Sequence, residues 1–141
     1  MANWSTLVPE LVVFDFDASL RFYRDVIGFT VRYRREAPRF AYLELDAAEL
    51  MLHEYHGSPI YGELEPGQVG RGFHLQIEVD SIMPLLARCA AHGIALRREP
   101  SDAWYRGEGV EYGNREFFVA DPDGFLLRFF EDLGERPVSQ P

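Results

Sequence analysis

Histidine and glutamate side chains give this chain its most obvious capacity for chemistry. His53 and His56 lie in the sequence His-Glu-Tyr-His, and His74 stands further along the chain. Imidazole and carboxylate groups together bind Fe, Mn, Ni or Zn and can leave positions open for a substrate. Because neighbouring polar residues at a strand end are more often solvated, His53 and His56 do not by themselves establish a metal site. His92, beside Gly93, is typical of a helix end.

Other catalytic patterns are absent from the sequence. It contains no Gly-x-Ser-x-Gly elbow and no phosphate-binding glycine loop. Two glutamate pairs could act as paired carboxylates, but their spacing does not favour acid–base chemistry over solvated charge. These pairs are Glu44 with Glu54 and Glu108 with Glu111. The single cysteine, Cys89, excludes an internal disulfide and is predicted to be a small core residue.

A segment from about Glu99 to Glu111 combines large aromatic side chains with acidic ones, and we predict that it is a long loop. Trp104 and Tyr105 are adjacent in it, and Glu108 follows closely. Exposed rings waste apolar area, so we expect these two to stack on a flat ligand while Glu108 and Glu111 face cationic groups. The alternative is a pair of rings that closes the loop over its own core.

The first half of the chain has the pattern of a βαβββ module. Asp15 is a suitable N-cap for a helix that Gly28 ends. Apolar residues on one face of this helix follow at spacings of 4, 3 and 4, namely Phe16, Leu20, Tyr23 and Ile27. The predicted strands are residues 7–14, 30–35, 40–45 and 50–55.

The second half repeats the order of the first. Glycine and proline residues in 56–71 indicate a linker. After it, Ser81 is predicted to cap a helix that Gly93 ends, with Ile82, Leu85, Leu86 and Cys89 on one face. The predicted strands are residues 73–79, 94–96, 116–120 and 125–131, the last two joined by the turn Asp121-Pro-Asp-Gly124. A shift of 66 residues lays Leu11 on Ile77 and Asp15 on Ser81.

These patterns predict an α+β fold in a single domain, residues 1–141. Two βαβββ modules would form a curved, partly open mixed sheet around a groove. The expected divisions are module one at 7–55, the linker at 56–71, module two at 72–133 and a frayed tail at 134–141.

Composition limits the classes of partner. The net charge of −9 argues against nucleic acid and anionic membranes, and it is compatible with a cationic ligand. Aromatic residues make up 14% of the chain, enough for both a phenylalanine-rich core and a ring-lined groove. The N-terminus lacks a signal-peptide pattern and no apolar run reaches transmembrane length, so the expected compartment is the cytoplasm.

Three stretches resemble the vicinal-oxygen-chelate superfamily of glyoxalases, bleomycin-resistance proteins and dioxygenases. They are Asp15–Phe29, Gly72–Asp80 and Asn114–Arg128. The sequence Arg-Glu-Phe that leads into Asp-Pro-Asp-Gly is similar to the bleomycin-resistance branch. The resemblance implies βαβββ modules that form a partly open cup. It also implies that many members hold a divalent metal with His and Glu, whereas antibiotic-binding members lack the metal and work as dimers.

The resemblance also implies where metal ligands would stand, on the first and last strand of each module. This chain offers Val8 and either Leu52 or His53 in the first module, and His74 and Arg128 in the second. Arg128 stands where glutamate is expected, and a guanidinium has no lone pair to give. We therefore expect no metal and no other cofactor, although His53 and His74 leave a two-ligand site as an open question.

Without a metal, the groove would bind a ligand and catalyse no reaction. Strand alternation puts His74, Gln76 and Glu78 on one face. The predicted ligand-binding residues are His74, Gln76, Trp104, Tyr105, Glu108, Arg128 and Glu10. The resemblance implies sequestration of a planar, cationic, bleomycin-type antibiotic in the groove of a homodimer. The alternatives are a metal-dependent lyase, isomerase, dioxygenase or thiol transferase of the same superfamily, and a binding protein for another metabolite.

Overall fold

The computed structural model describes residues 3–138 and divides into two compact units. Unit 1 holds the chain up to Gly72 together with Asp121–Phe125, and unit 2 holds Phe73–Ala120 and the chain from Leu126 onward. Each unit contains one four-stranded mixed sheet and follows the order βαβββ. The predicted α+β fold of two βαβββ modules is therefore confirmed. No helix within residues 3–138 is long and apolar enough to cross a bilayer.

Unit 1 is built on a helix whose ends were predictable from local sequence. The elements are β1 (Glu10–Val13), α1 (Phe16–Arg21), a π-helical segment (Phe22–Ile27), β2 (Thr30–Glu36), β3 (Arg39–Leu45) and β4 (Ala48–Glu54). Asp15 caps α1, since its carboxylate accepts a hydrogen bond of 3.0 Å from the Ala18 amide. Gly28, with φ of 105°, ends the segment. The sheet order is β1-β4-β3-β2, and only the β1–β4 pair is parallel.

The turn Asp121–Phe125 belongs to unit 1, although it joins two strands of unit 2. Asp121 Oδ2 accepts a hydrogen bond of 2.7 Å from the Tyr23 hydroxyl. Asp121 Oδ1 accepts bonds of 2.9 Å from the amides of Asp123 and Phe125. Tyr23 is fully buried and Asp121 is 6% exposed, so a buried polar contact joins the turn to the helical region.

Removing the Tyr23 hydroxyl tests this contact. In Tyr23→Phe the buried Asp121 carboxylate loses one donor without gaining water, so the free energy of unfolding should fall by about 1–3 kcal/mol. Denaturant unfolding measures the change. Tyr33→Phe, at a half-exposed ring, is the matched control and should change stability by less than about 0.5 kcal/mol. Equal effects of the two substitutions would contradict the structural role of the Tyr23–Asp121 bond.

Unit 2 carries the longer strands. Its elements are β5 (His74–Glu78), α2 (Met83–Ala91), β6 (Arg98–Arg106), β7 (Val110–Ala120) and β8 (Leu126–Pro137). The sheet order is β5-β8-β7-β6, with β5 parallel to β8 and the other pairs antiparallel. Cys89, Ile82 and Leu85 are buried, in agreement with the predicted apolar helix face.

The predicted loop at 99–111 is wrong, because β6 and β7 occupy most of it as a hairpin. Its turn is short, and residues 94–96 form no strand. Two contacts explain the pairing. The Trp104 ring lies against Gly113, where an added Cβ would come within 2.6 Å of it, and Arg115 forms an ion pair of 2.8 Å with Asp102. Glycine here makes room for a cross-strand ring instead of breaking the strand.

Two further boundaries differ from the sequence estimate. β8 runs to Pro137, which pairs with Val110, so residues 134–137 belong to a strand and not to a frayed tail. Pro141 lies outside the described residues. The N-cap of α2 is Ile82 and not the predicted Ser81, although Ser81 Oγ accepts a hydrogen bond of 3.3 Å from the Met83 amide.

Candidate functional site

The sheet of unit 2 has two chemically different faces. One face is apolar and buried, and it is formed by Ile77, Phe117, Val119, Leu127 and Phe129. Side chains alternate along a strand, so the residues between these belong to the opposite face. We call this second surface the open face, and its residues are His74, Gln76, Glu78, Arg98, Tyr105, Glu116, Phe118, Leu126, Arg128 and Phe130. The open face is where this unit presents polar and aromatic groups together.

A buried ion pair lies on the open face. The Glu116 side chain is 2% exposed and that of Arg128 is 14% exposed. Glu116 Oε2 accepts a hydrogen bond of 2.7 Å from Arg128 Nε and lies 2.6 Å from Arg128 Nη2 in the same ion pair. Glu116 Oε1 accepts a bond of 2.5 Å from the Tyr105 hydroxyl. Burial, followed by this bond to Glu116, raises the pKa of Tyr105, so the phenol stays protonated and donates.

Four residues of the open face form one row across the four strands. Register pairs Gln76 with Arg128, Arg128 with Phe118, and Phe118 with Arg98. The guanidinium carbons of Arg98 and Arg128 lie 5.1 and 5.7 Å from the centre of the Phe118 ring. The His74 ring meets the same phenyl ring edge-on at 5.5 Å. One aromatic ring is therefore surrounded by basic side chains.

The structure brings some of the predicted ligand-binding residues together and separates others. His74, Gln76, Tyr105 and Arg128 share the open face. Trp104 points to the opposite face of its strand, where Arg136 lies 4.0 Å above its ring. Trp104 and Tyr105 therefore do not form one stacking platform. Two acidic residues of the hairpin lie elsewhere: Glu108 is exposed in the turn, and Glu111 pairs with Arg136 at 2.6 Å.

Glu10, the remaining predicted residue, belongs to unit 1. Its Oε1 lies 3.1 Å from Nδ1 of His53, whose ring lies 4.9 Å from that of His56. Leu52 is fully buried, so of the two alternatives weighed for this strand only His53 shares the face of Glu10. Strand register places Met51 beside Glu10 in unit 1, just as it places Arg128 beside Gln76 in unit 2. Met51 therefore occupies the position in unit 1 that corresponds to Arg128.

Unit 1 also carries an aromatic cluster with an open pocket of about 350 Å³. The ring of Trp4 meets those of Tyr33 and Tyr42 at 5.8 and 4.8 Å. The pocket is lined by Asn3, Trp4, Ser5, Glu44, Asp46, Ala47 and Glu49. Arg32 already lies 3.8 Å from the centre of the Trp4 ring and 3.0 Å from the Glu49 carboxylate. The aromatic ring and the carboxylate that could bind a cation here are thus already occupied by the guanidinium of Arg32.

Two of the side chains at the expected metal positions, those of Val8 and Arg128, cannot ligate a metal. Arg128 is a permanent cation locked to Glu116, and both carboxylate oxygens of Glu116 are already engaged. In unit 1 Val8 has no lone pair to give, the weak thioether of Met51 takes the register position that corresponds to Arg128, and His53 Nδ1 is already in contact with Glu10. Within residues 3–138, no three His, Cys, Asp or Glu side chains are grouped so that they could hold an ion.

Sequence reasoning missed three residues of this site: Glu116, Phe118 and Arg98. A signal for the first two was available. Phe117 is an apolar residue in a predicted strand, so Glu116 and Phe118 had to share the other face with one another. The pairing of Glu116 with Arg128 depends on strand register, which alternation alone does not give.

Comparison with known proteins adds the family context. A family model described as the glyoxalase/bleomycin resistance protein/dioxygenase superfamily matches residues 6–129. No curated protein sequence matches the chain. Among solved structures, the antibiotic-binding protein TnmS3 from Streptomyces sp. CB03234 is 20% identical with a TM-score of 0.63, over 94% of this chain and 98% of that one.

Two further structures have the same fold. A virulence protein from Salmonella typhimurium is 20% identical, with a TM-score of 0.63 over 93% of this chain and 98% of its own. The fosfomycin resistance protein FosX from Listeria monocytogenes is 15% identical, with a TM-score of 0.62 over 92% and 91%. At these identities the likeness establishes a shared fold, which hosts different activities in different proteins.

Proposed function

The chain belongs to the glyoxalase/bleomycin resistance protein/dioxygenase superfamily, and from this premise we propose that it is a metal-free binding protein for a small planar molecule. The observation that carries the proposal is the buried Arg128–Glu116 ion pair. It puts a neutralised cation where the family resemblance implies a metal-ligating glutamate. Binding is then non-covalent, and no bond of the ligand is broken.

The open face of unit 2 supplies the proposed contacts. The Tyr105 ring is 43% exposed while its hydroxyl is held by Glu116, so a rigid ring edge and face are available for stacking. His74, Gln76 and Arg128 add hydrogen-bonding groups at the other end of the face. Trp104, Glu108 and Glu10 lie outside the open face. Their predicted contacts with the ligand are therefore not part of this proposed surface and stay predictions.

We take an antibiotic of the bleomycin type as the ligand to test first. Such a drug has a planar bithiazole and a positively charged tail. The net charge of −9 favours the approach of a cation, and the fold is shared with a protein described as antibiotic-binding. The drug would be sequestered from metal activation and from DNA. In this proposal the protein acts in the cytoplasm, and it is a homodimer, as the resemblance to metal-free relatives implies.

Substitutions of Tyr105 test the proposed face. Tyr105→Ala removes the stacking surface and should weaken bleomycin binding about tenfold, whereas Tyr105→Phe keeps the ring and should change affinity by no more than about threefold. Isothermal titration calorimetry gives the dissociation constants. Met83→Ala, at a side chain 64% exposed on α2, is a control in the same unit and should bind normally.

The test has two ways to fail. If Tyr105→Ala binds bleomycin as tightly as the unaltered chain, the open face is not the binding surface. If the unaltered chain shows no heat of binding and gives DNA no protection from bleomycin cleavage, sequestration of this drug is rejected.

A further inference from the structure

The row Gln76–Arg128–Phe118–Arg98 has a local charge opposite to that of the chain as a whole. The chain carries −9, yet two arginines flank one phenyl ring at 5.1 and 5.7 Å. Screening in salt limits the reach of exposed charges to about 10 Å. Glu116 neutralises Arg128, so a ligand group seated in this row meets one net positive charge from Arg98 more strongly than the distant acidic surface.

Arg98 is the unneutralised cation of the row. It is exposed and forms no ion pair with any residue in the part of the chain that the structure describes. The guanidinium carbon of Arg128 also lies 5.0 Å from the centre of the Tyr105 ring. Arg98 on β6 and Arg128 on β8 thus flank the Phe118 ring of β7 from its two neighbouring strands.

Arg128 has N–H donors that Glu116 does not engage. Its hydrogen bond to Glu116 uses Nε, its ion-pair contact uses Nη2, and within residues 3–138 Nη1 has no hydrogen-bond partner. A guanidinium has five N–H donors in a planar fork. Glu116 fixes the orientation of that fork, which lowers the entropy cost of binding a further group.

We propose that this row binds the carboxylate of a planar aromatic ligand. The aromatic part lies against Phe118 and Tyr105, and the carboxylate accepts hydrogen bonds from Arg98 and from Arg128 Nη1. Charge-assisted bonds from arginine to a carboxylate are short, strong and directional. The Gln76 amide, next in the row, is placed to donate to the same group. This inference rests on the proposed function, because it assigns a ligand class to the same open face.

Three planar probes that differ in one substituent test the inference: naphthoate, naphthamide and naphthylmethylammonium. Calorimetry or fluorescence titration of the full chain should show that naphthoate binds at least about tenfold more tightly than the other two. Arg98→Gln should abolish this preference. Arg106→Gln, on the opposite face of the same strand, removes the same charge from an exposed position and should leave the preference intact.

The outcomes separate this inference from the proposed function. Equal binding of the three probes, no binding of any of them, or a preference that survives Arg98→Gln overturns the inference, whatever bleomycin does. A preference for naphthoate without binding of bleomycin supports the inference and rejects the bleomycin assignment. Binding of bleomycin with no preference among the probes leaves the proposed function standing and the carboxylate subsite rejected.

Discussion

Replacing Arg128 with alanine is expected to lower the free energy of unfolding by about 3–5 kcal/mol. The Glu116 side chain is 2% exposed, and Arg128 is the cation that neutralises it. After the substitution the carboxylate keeps one donor, the Tyr105 hydroxyl, and would remain buried and charged. Urea or guanidinium unfolding of the two proteins at pH 7 measures the difference.

Two controls separate burial of a charge from simple loss of an ion pair. Arg115→Ala breaks the Arg115–Asp102 pair, whose side chains are both 46% exposed, and should cost no more than about 1 kcal/mol. The double variant Arg128→Leu with Glu116→Leu removes both charges and should recover most of the stability. A loss in Arg128→Ala as small as that in Arg115→Ala would show that Glu116 is solvated and that the pair is not a fixed part of the site.

The stability of the chain relative to Asp121→Asn is expected to fall by about 2 kcal/mol as the pH rises from about 4 to about 7. Burial, opposed by the hydrogen bond from Tyr23 and those from two amides, raises the pKa of Asp121 from 3.8 to about 6. The folded state thus holds the proton more tightly than the unfolded state. Its advantage is complete below the unfolded pKa and is lost as the pH rises through about 6.

The comparison with Asp121→Asn isolates this group, because the asparagine does not titrate and other carboxylates contribute equally to both proteins. Unfolding free energies measured at several pH values between about 4 and 7 give the difference directly. A difference that does not change with pH would contradict the burial of Asp121 against Tyr23. A difference that rises with pH would mean that the Asp121 pKa is lowered in the folded state.

The fold was predictable where the signals are local. In α1 and the π-helical segment that follows it, the cap at Asp15, the apolar spacing from Phe16 and the stop at Gly28 all lie within one stretch of the sequence. The hairpin of β6 and β7 was not predictable in this way. Its strands are held by cross-strand partners, above all Trp104 on Gly113, and the glycine that permits this contact looks like a loop residue when read alone.

The candidate site was predictable in residue type and not in arrangement. Arg128 could be recognised from sequence because no environment turns a guanidinium into a metal ligand. Its partner Glu116 could not, since the two residues meet only through the register of β7 and β8. Trp104 and Tyr105 are separated for a different reason, which is the alternation of side chains along β6. Adjacent in sequence, they were expected to act together, and the strand sends them to opposite faces.

The most direct test of metal-free binding is calorimetric titration of bleomycin into protein from which metals have been removed with a chelator. Metal-free binding predicts saturable heat in the stripped protein, unchanged when Mn, Fe, Ni or Zn is added back. No heat in the stripped protein, or heat that appears only after a divalent metal is restored, would contradict it.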